Sequence, residues 1–205
     1  FFGFKIILPE PIGIKMESAW ISAKVKDASD RDYLETVLDL FEKARKEIVI
    51  AFYLIEPDER EANNPVNRLL EGLLRARERG VNVRLVLNTN FRFLPKTGVA
   101  SGAWFERMTA AGIPVATLLP SRRLHDKLIV IDGRYVVDGS MNWSEAALQS
   151  NFESATIIDA PAYAAQKLAL VAEMTLPRPR KVVAKMEAVD KSLLTVRETV
   201  QIPAV

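Results

Sequence analysis

Residues 124–142 read LHDKLIVIDGRYVVDGSMN, and the pattern of this stretch decides how the surrounding chain is interpreted. Two apolar runs, residues 128–131 and residues 135–137, lie on either side of the pair Asp132-Gly133. Short apolar runs that are separated by Asp-Gly are typical of two antiparallel strands joined by a tight turn. The stretch therefore predicts a β-hairpin with polar groups at both of its ends.

The polar groups of this stretch include His125, the only histidine in the chain, and Lys127 two positions later. Side chains two apart on a strand share a face and lie roughly 6.5–7 Å apart, so we expect this pair to project together. An imidazole beside an ammonium suits a phosphate ester, because one group attacks or protonates while the other neutralises non-bridging oxygens. Gly139 is expected to let the backbone approach a ligand closely, and Ser140 and Asn142 add hydrogen-bond donors.

The spacing of these residues resembles the HKD motif of the phospholipase D superfamily. The motif runs His-x-Lys-x4-Asp-x6-Gly-Ser-x-Asn, and its Gly-Ser-x-Asn ending is similar to that of the small bacterial nuclease branch. Six typed positions at fixed spacing form a specific signal, whereas His-x-Lys alone would not. Glu153 matches the family's downstream glutamate. The resemblance spans about residues 19–175, and it is carried by His125, Lys127, Asp132, Gly139, Ser140, Asn142 and Glu153.

The resemblance implies a phosphodiesterase that uses neither a metal nor another cofactor and that forms a phosphohistidine. In this family two copies of the motif build one active site. Because the chain has one motif and one histidine, a homodimer is implied, with two copies of His125 meeting across a two-fold axis. Lys127, Gly139, Ser140 and Asn142 would bind the phosphoryl oxygens, and Glu153 would accept a hydrogen bond from the imidazole.

Asp132 is expected to serve the structure and not the chemistry, although it belongs to the motif. Its position five residues after Lys127 places it on the other side of the strand, and aspartate before glycine is favoured in a hairpin turn. Trp143 is expected in the hydrophobic core and not on a substrate platform.

The composition is ordinary for a globular protein and permits a polyanionic substrate without requiring one. The chain has 205 residues, of which 49% are hydrophobic, and a net charge of +2. The absence of cysteine excludes disulfides, zinc–thiolate sites and cysteine nucleophiles, and a single histidine argues against a histidine-rich metal site. A cysteine-free chain suits the cytoplasm and the periplasm equally, so the localisation stays open.

Alternating strand and helix patterns predict one α/β domain over residues 19–176, an α/β/α sandwich with a mixed, mostly parallel central sheet. The expected elements begin with a strand at 20–25, a helix capped by Asp30, and a helix that begins at Pro65 after the cap Asn64. Residues 1–18 are expected to be an N-terminal segment, either an extended piece packed on the domain or the remnant of an export signal or anchor. Residues 177–205 form a basic, helical arm, which could pack on its own domain or on a neighbouring chain.

Two further groups of residues could contact a nucleic acid. The long connection between residues 88 and 102 mixes aromatic and basic side chains, which could stack on bases and touch phosphates or could anchor the loop on the core: Phe91, Arg92, Phe93 and Lys96. Arg122 and Arg123 precede the motif and could contact phosphates or be a solvated charge pair.

The motif fixes the bond that is broken and not the molecule that contains it. A small single-motif chain with arginines beside the site favours a nucleic-acid substrate, DNA or RNA. A phospholipid substrate, with hydrolase or transphosphatidylase activity, would want an exposed apolar rim, for which residues 1–14 are the candidate. A third hypothesis is a non-catalytic nucleic-acid-binding module, against which the intact set of polar residues argues.

Overall fold

The computed structural model describes residues 20–58, 60–61, 63–88, 102–118 and 123–175. All of the described elements lie within the predicted domain, and residues 1–18 and 177–205 lie outside the described part. No helix in the described ranges is long and apolar enough to cross a membrane. In chain order the elements are β1 (Lys24–Asp27), α1 (Asp32–Lys43), β2 (Glu47–Phe52), α2 (Pro65–Glu78), β3 (Asn82–Leu87), α3 (Gly102–Ala110), β4 (Val115–Thr117), β5 (Lys127–Ile131), β6 (Tyr135–Gly139), α4 (Glu145–Gln149), β7 (Ala155–Asp159) and α5 (Pro161–Thr175).

The strands form a seven-stranded mixed sheet in the order β1-β7-β6-β5-β2-β3-β4. The predicted hairpin is confirmed as β5 and β6, which pair antiparallel with Ile131 opposite Tyr135. Asp132 and Gly133 form the turn with positive φ angles of 55° and 63°, as a tight hairpin turn requires. The hairpin adds to the parallel part of the sheet through β5, which lies antiparallel to β2.

The prediction that the sheet is mostly parallel is wrong. Among the described strands only β2–β3 and β3–β4 are parallel pairs, while β1–β7, β7–β6, β6–β5 and β5–β2 are antiparallel. The expectation came from the continuous apolar runs, which are typical of parallel strands. Strand β5 is buried along its whole length although it is antiparallel, because a continuous apolar run reports that both faces are covered and does not report strand direction.

The predicted three-layer arrangement is confirmed. Alternate residues of the central strands face two separate apolar clusters. On one side, Ile48, Ile50 and Ile129 belong to the larger cluster, which includes residues of α1, α2, α3 and α4. On the other side, Val49 and Val130 pack with α5. Burial of apolar side chains on both faces supplies the main stabilisation of the sheet and fixes its register.

Trp143 lies in the larger cluster, as predicted for a core aromatic. Its ring is fully buried and packs against Phe52 with ring centroids 4.9 Å apart. The indole nitrogen donates to the hydroxyl of buried Tyr33 at 3.1 Å, which satisfies the only polar atom of the indole. The residue directly after the motif therefore anchors it to the body of the protein.

The two predicted helix caps had different outcomes. Asn64 caps α2, since its side chain accepts from the backbone N–H of Val66 at 3.0 Å and Pro65 opens the helix. The prediction for Asp30 is wrong: α1 begins after Arg31 without a side-chain cap. Asp30 adopts a φ of 51°, and its carboxylate instead accepts from the backbone N–H of Glu153 at 2.6 Å. The side chain of Asp30 therefore makes a long-range hydrogen bond and does not cap the helix.

The first strand is displaced from its predicted position at residues 20–25. Strand β1 occupies Lys24–Asp27, pairs antiparallel with β7 and is exposed along its length. Trp20 precedes the strand and is fully exposed. On an exposed edge strand, hydrophobic alternation carries little information about where pairing begins, which explains the error.

Candidate active site

His125 and Lys127 lie together at the start of β5, as the strand spacing predicted. Lys127 is the first residue of the strand and is paired with Phe52 at the end of β2. Its Nζ lies 3.3 Å from Nδ1 of His125 and donates to the backbone carbonyl of His125 at 2.8 Å. Because an ammonium has only donors, a hydrogen bond between these two nitrogens requires Nδ1 to accept, which places the proton of a neutral imidazole on Nε2.

Lys127 is unusual because only 7% of it is exposed. Burial lowers the pKa of its ammonium below the ordinary value for lysine, and the negative charges of Asp126 and Glu153 act in the opposite direction. Among the described residues, no carboxylate forms a salt bridge with Lys127. A positive charge is therefore held in a partly desolvated place where it can act strongly on a bound phosphate.

The backbone around His125 is fixed by two contacts that the sequence analysis did not find. The buried side chain of Asn88 bonds to both polar backbone atoms of Leu124, donating to its carbonyl at 2.6 Å and accepting from its N–H at 2.8 Å. The N–H of Tyr53 donates to the carbonyl of Asp126 at 2.8 Å. The residues on each side of the histidine are thus held by the ends of β2 and β3.

Tyr53 also contributes its ring to the site, which sequence reasoning missed. The ring centroid lies 4.5 Å from that of His125 at a tilt of 50°, and Nζ of Lys127 lies 5.0 Å from it. A cation near an aromatic face gains about 0.5–2 kcal/mol, more when it is desolvated. Strand alternation would place Tyr53 on the face opposite Phe52 and Lys127, but β2 ends at Phe52 and the chain bends at Tyr53.

A second group, formed by Ser140 and Glu153, lies where β6 ends and β7 begins. Ser140 Oγ donates to Glu153 Oε2, and Asn151 Nδ2 donates to Glu153 Oε1 at 3.1 Å. The N–H of Ser154 donates to Ser140 Oγ at 3.1 Å. Within the described part of a single chain, no hydrogen bond joins Glu153 to the imidazole of His125, so that predicted bond stays a prediction for the assembled site.

Gly139 lies against the start of β7, and its predicted approach to a ligand stays a prediction. A Cβ at this position would lie 2.8 Å from Cα of Ala155 and would overlap the carbonyl oxygen of Ser154. The absent side chain therefore allows β6 to approach β7, and this close packing places Ser140 beside Glu153. Asn142 follows in the motif, is half-buried, and its Oδ1 has no hydrogen-bond partner among the described residues.

Asp132 lies at the opposite end of β5 from Lys127, in the hairpin turn. Its carboxylate accepts hydrogen bonds from three consecutive backbone N–H groups that lead into β2, those of Arg45, Lys46 and Glu47, at 2.7–3.1 Å. The geometry agrees with the structural role that was expected. It ties the hairpin to the first strand of the parallel part of the sheet.

The predicted nucleic-acid contacts are described only in part. Arg123 is exposed two residues before His125. Arg122, Phe91, Arg92, Phe93 and Lys96 lie outside the described residues, so their predicted roles stay predictions. In the ranges that the structure covers, no group of three or more His, Cys, Asp or Glu side chains could hold a metal ion.

Comparison with known proteins identifies the family of this arrangement. Residues 37–174 match the family model described as the cardiolipin synthase, PLD-like domain. Mitochondrial cardiolipin hydrolase of Xenopus tropicalis is 33% identical over 91 residues, which are 44% of this chain and 40% of that protein. Cardiolipin synthase A of Salmonella arizonae is 32% identical over 123 residues, which are 60% of this chain and 24% of the relative. The chain thus spans less than half the length of these two relatives.

Two solved structures match this chain over most of their own length. Nuc of Salmonella typhimurium, a phospholipase D family member, superimposes with a TM-score of 0.60 and 27% identity, covering 75% of this chain and 93% of Nuc. NucT of Helicobacter pylori gives a TM-score of 0.60 with 17% identity, covering 75% of this chain and 96% of NucT, and at this identity it shows the fold alone.

Proposed function

Because this chain belongs to the phospholipase D superfamily, whose members act on phosphodiester bonds, we propose that it is a metal-independent phosphodiesterase with a phosphohistidine intermediate. The observation that carries the proposal is the contact between His125 and the buried ammonium of Lys127, at 3.3 Å. A nucleophile and a desolvated positive charge side by side are what attack on an anionic phosphodiester needs.

The proposed reaction has two steps. Nε2 of one His125 forms a bond to phosphorus while the bond from phosphorus to the leaving oxygen breaks, and the partner's His125, protonated, gives its proton to that oxygen. Water then attacks phosphorus, its proton passes to the partner's His125, and the nitrogen–phosphorus bond breaks. Both imidazoles return to their starting states. Lys127, Ser140 and Asn142 hold the non-bridging oxygens while negative charge accumulates on them.

Attack by Nε2 requires a change in the protonation of the ring. With Lys127 donating to Nδ1, the proton resides on Nε2, and the lone pair needed for attack is absent. The attacking ring must carry its proton on Nδ1, so the ammonium of Lys127 turns from the imidazole to the phosphate. The Nδ1 proton then needs an acceptor, and the Glu153 carboxylate, whose charge already acts on Lys127, is the proposed one.

The homodimer is proposed because one chain holds one imidazole and the reaction uses two in the same step. A two-fold axis places the same residue opposite itself, so a single motif can supply both groups. The exposed ring of Phe152, 94% accessible and adjacent to Glu153, is consistent with an apolar contact at this axis. A second copy would cover it and would exclude water from the reacting groups.

A nucleic acid is the favoured substrate. Arg123 lies exposed beside the site, where it can contact a backbone phosphate. The second candidate is a phospholipid, favoured by the match to the cardiolipin synthase family model and by the names of the curated relatives. The third candidate, a non-catalytic nucleic-acid-binding module, would lack hydrolysis.

The test uses the full chain with EDTA in every assay. We expect hydrolysis of bis(p-nitrophenyl) phosphate and of single-stranded DNA, duplex DNA or RNA, with no loss of rate on chelation. We expect no hydrolysis of the lipids in phospholipid vesicles. Loss of activity that a divalent ion restores would contradict the metal-independent mechanism. Hydrolysis of vesicles alone would select the lipid candidate, and binding of nucleic acid without any hydrolysis would select the binding module.

A further inference from the structure

We propose that Tyr53 is a positioning residue of the phosphodiester site, whose ring face holds the Lys127 ammonium ready for the phosphate. The inference rests on the proposed function, because it concerns how the same site keeps a positive charge available. It assigns a role to a residue outside the HKD motif, directly after the end of β2. Tyr53 is proposed to act through Lys127 and His125.

The position of Tyr53 is fixed by the sheet. Its N–H donates to the carbonyl of Asp126 at 2.8 Å, which continues the β2–β5 pairing one residue beyond Phe52 and Lys127. The bend at Tyr53 brings the ring to the side of the catalytic pair, 4.5 Å from the imidazole and 5.0 Å from Nζ. One side chain, directly after the end of the neighbouring strand, therefore contacts both His125 and Lys127.

The nature of the contact determines what it can do. A buried ammonium requires a compensating partner, because removing a charge from water is costly. A carboxylate in contact would compensate it but would also neutralise it and compete with the phosphate. An aromatic face compensates part of the lost hydration through its quadrupole and leaves the net positive charge in place. In the described structure the Lys127 ammonium has three neighbours, the Tyr53 ring, the carbonyl of His125 and Nδ1 of His125, and none of them carries a negative charge.

The ring of Tyr53 also restricts the imidazole. A ring packed at a tilt of 50° against His125 limits its rotation about the side-chain bonds, so Nε2 keeps one direction. Both contacts are measured to the ring of Tyr53. Phenylalanine would reproduce them, whereas leucine would fill a similar volume without the quadrupole.

The experiment compares Tyr53→Phe and Tyr53→Leu with Tyr163→Leu as the matched control. Tyr163 lies on α5, and its ring holds the ammonium of Lys167 at 5.2 Å, so the control removes an equivalent contact away from the site. With bis(p-nitrophenyl) phosphate, we expect Tyr53→Leu to lower kcat/KM about 3- to 30-fold, the range that corresponds to a cation–π contact. Tyr53→Phe and Tyr163→Leu should stay within about twofold of the wild type.

A variant that preserves shape covers the case in which Tyr53→Leu does not fold. Pentafluorophenylalanine at position 53 keeps the outline of phenylalanine but reverses its quadrupole, so we expect activity lower than that of Tyr53→Phe at an equal melting temperature. The inference would be overturned if the pentafluorophenylalanine variant were as active as Tyr53→Phe. It would also be overturned if Tyr53→Phe were as impaired as Tyr53→Leu. Wild-type activity in a folded Tyr53→Leu variant would overturn it as well.

Phosphate binding separates this inference from the proposed function. His125 is the only histidine, so its imidazole NMR signals report the site directly while inorganic phosphate is titrated. We expect Tyr53→Leu to bind phosphate about 3- to 30-fold more weakly than the wild type, and Tyr53→Phe and Tyr163→Leu to bind it normally. If the wild type hydrolyses no diester but shows this pattern, the enzymatic proposal fails and the role of Tyr53 stands. If the wild type is active and the Tyr53 variants bind phosphate as tightly as the wild type does, the enzymatic proposal stands and the proposed role of Tyr53 fails.

Discussion

The carboxylate of Asp132 illustrates how a motif residue can act on the backbone at a distance from the chemistry. It accepts hydrogen bonds from three backbone N–H groups that lead into β2. The backbone of Asp132 lies in the left-handed region, with a φ of 55°. We expect Asp132→Ala to lower the free energy of unfolding by about 1–3 kcal/mol, because the N–H groups lose a charged acceptor. The rate per folded molecule should be unchanged. Urea unfolding and kcat, measured on the same preparation, check both parts.

Asp132→Asn is the matched control for this prediction. Asparagine tolerates the left-handed region and retains one acceptor oxygen, so its stability should lie between those of Asp132→Ala and the wild type. If either variant keeps wild-type stability but loses turnover, Asp132 takes part in the chemistry and the structural assignment is wrong.

Lys127 is expected to reduce stability while it enables function. Burial lowers the pKa of the Lys127 ammonium, so the folded state binds its proton more weakly than the unfolded chain does. We expect Lys127→Met to abolish hydrolysis while melting at or above the wild-type temperature, because a buried charge is replaced by an apolar side chain of similar length. Thermal melting and hydrolysis of a simple diester measure the two effects.

The pH dependence of stability provides the internal control for Lys127. The penalty is fully present at neutral pH, where lysine is protonated in both states. It disappears as pH rises through the lowered folded pKa towards the unfolded value of about 10.4, since the native state then releases the proton first. The stability difference between Lys127→Met and the wild type should therefore shrink between neutral and alkaline pH. A difference that grows over this range would contradict the assignment.

Among the secondary-structure elements, β6 and β7 approach each other closely at Gly139. A Cβ there would lie 2.8 Å from Cα of Ala155 and would collide with the backbone of Ser154. We expect Gly139→Ala to push the strands apart, to lower the free energy of unfolding by about 1–3 kcal/mol and to separate Ser140 from Glu153. Turnover should fall further than the loss of folded protein explains. Unfolding experiments and kcat per folded molecule measure the two effects.

Gly133 supplies the control because it also lies in the hairpin but has free space. The nearest atom to a Cβ at Gly133 is a carboxylate oxygen of Glu47 at 3.9 Å, and its φ of 63° is one that asparagine tolerates. Gly133→Asn should therefore have wild-type activity and nearly wild-type stability. If Gly139→Ala is as active as Gly133→Asn, the strand approach does not position the site.

The parts of the fold that were predicted correctly depend on local signals. The cap Asn64, the turn at Asp132-Gly133 and the spacing of His125 and Lys127 are each decided within a few residues. The errors depend on distant partners. The carboxylate of Asp30 accepts a hydrogen bond from the N–H of Glu153, and strand direction is decided by which strands pair. Tyr53 was missed because its position follows from the end of β2 against β5, which strand alternation alone does not reveal.

For the assembled protein, contacts with a distant partner matter even more, because the partner is a second chain. A single chain brings His125, Lys127 and Tyr53 together, and it also joins Ser140 to Glu153. What it lacks is a second imidazole, since the sequence contains one histidine. The proposed chemistry therefore depends on a contact between two copies of the chain. The activity of mixed dimers measures that dependence directly.

Mixing wild-type chains with His125→Ala chains distinguishes one shared site from two independent ones. After complete exchange at equal concentrations, about one quarter of dimers are wild type and about one half are hybrids. If a hybrid is inactive because its single imidazole cannot both attack and protonate, activity falls to about half of that of the unmixed sample. If each chain worked alone, mixing would leave the activity unchanged, and the shared site would be refuted. Tyr163→Leu chains, mixed in the same way, control for damage caused by exchange. The two proteins must be exchanged fully, which differently tagged chains verify, because incomplete exchange would imitate independence.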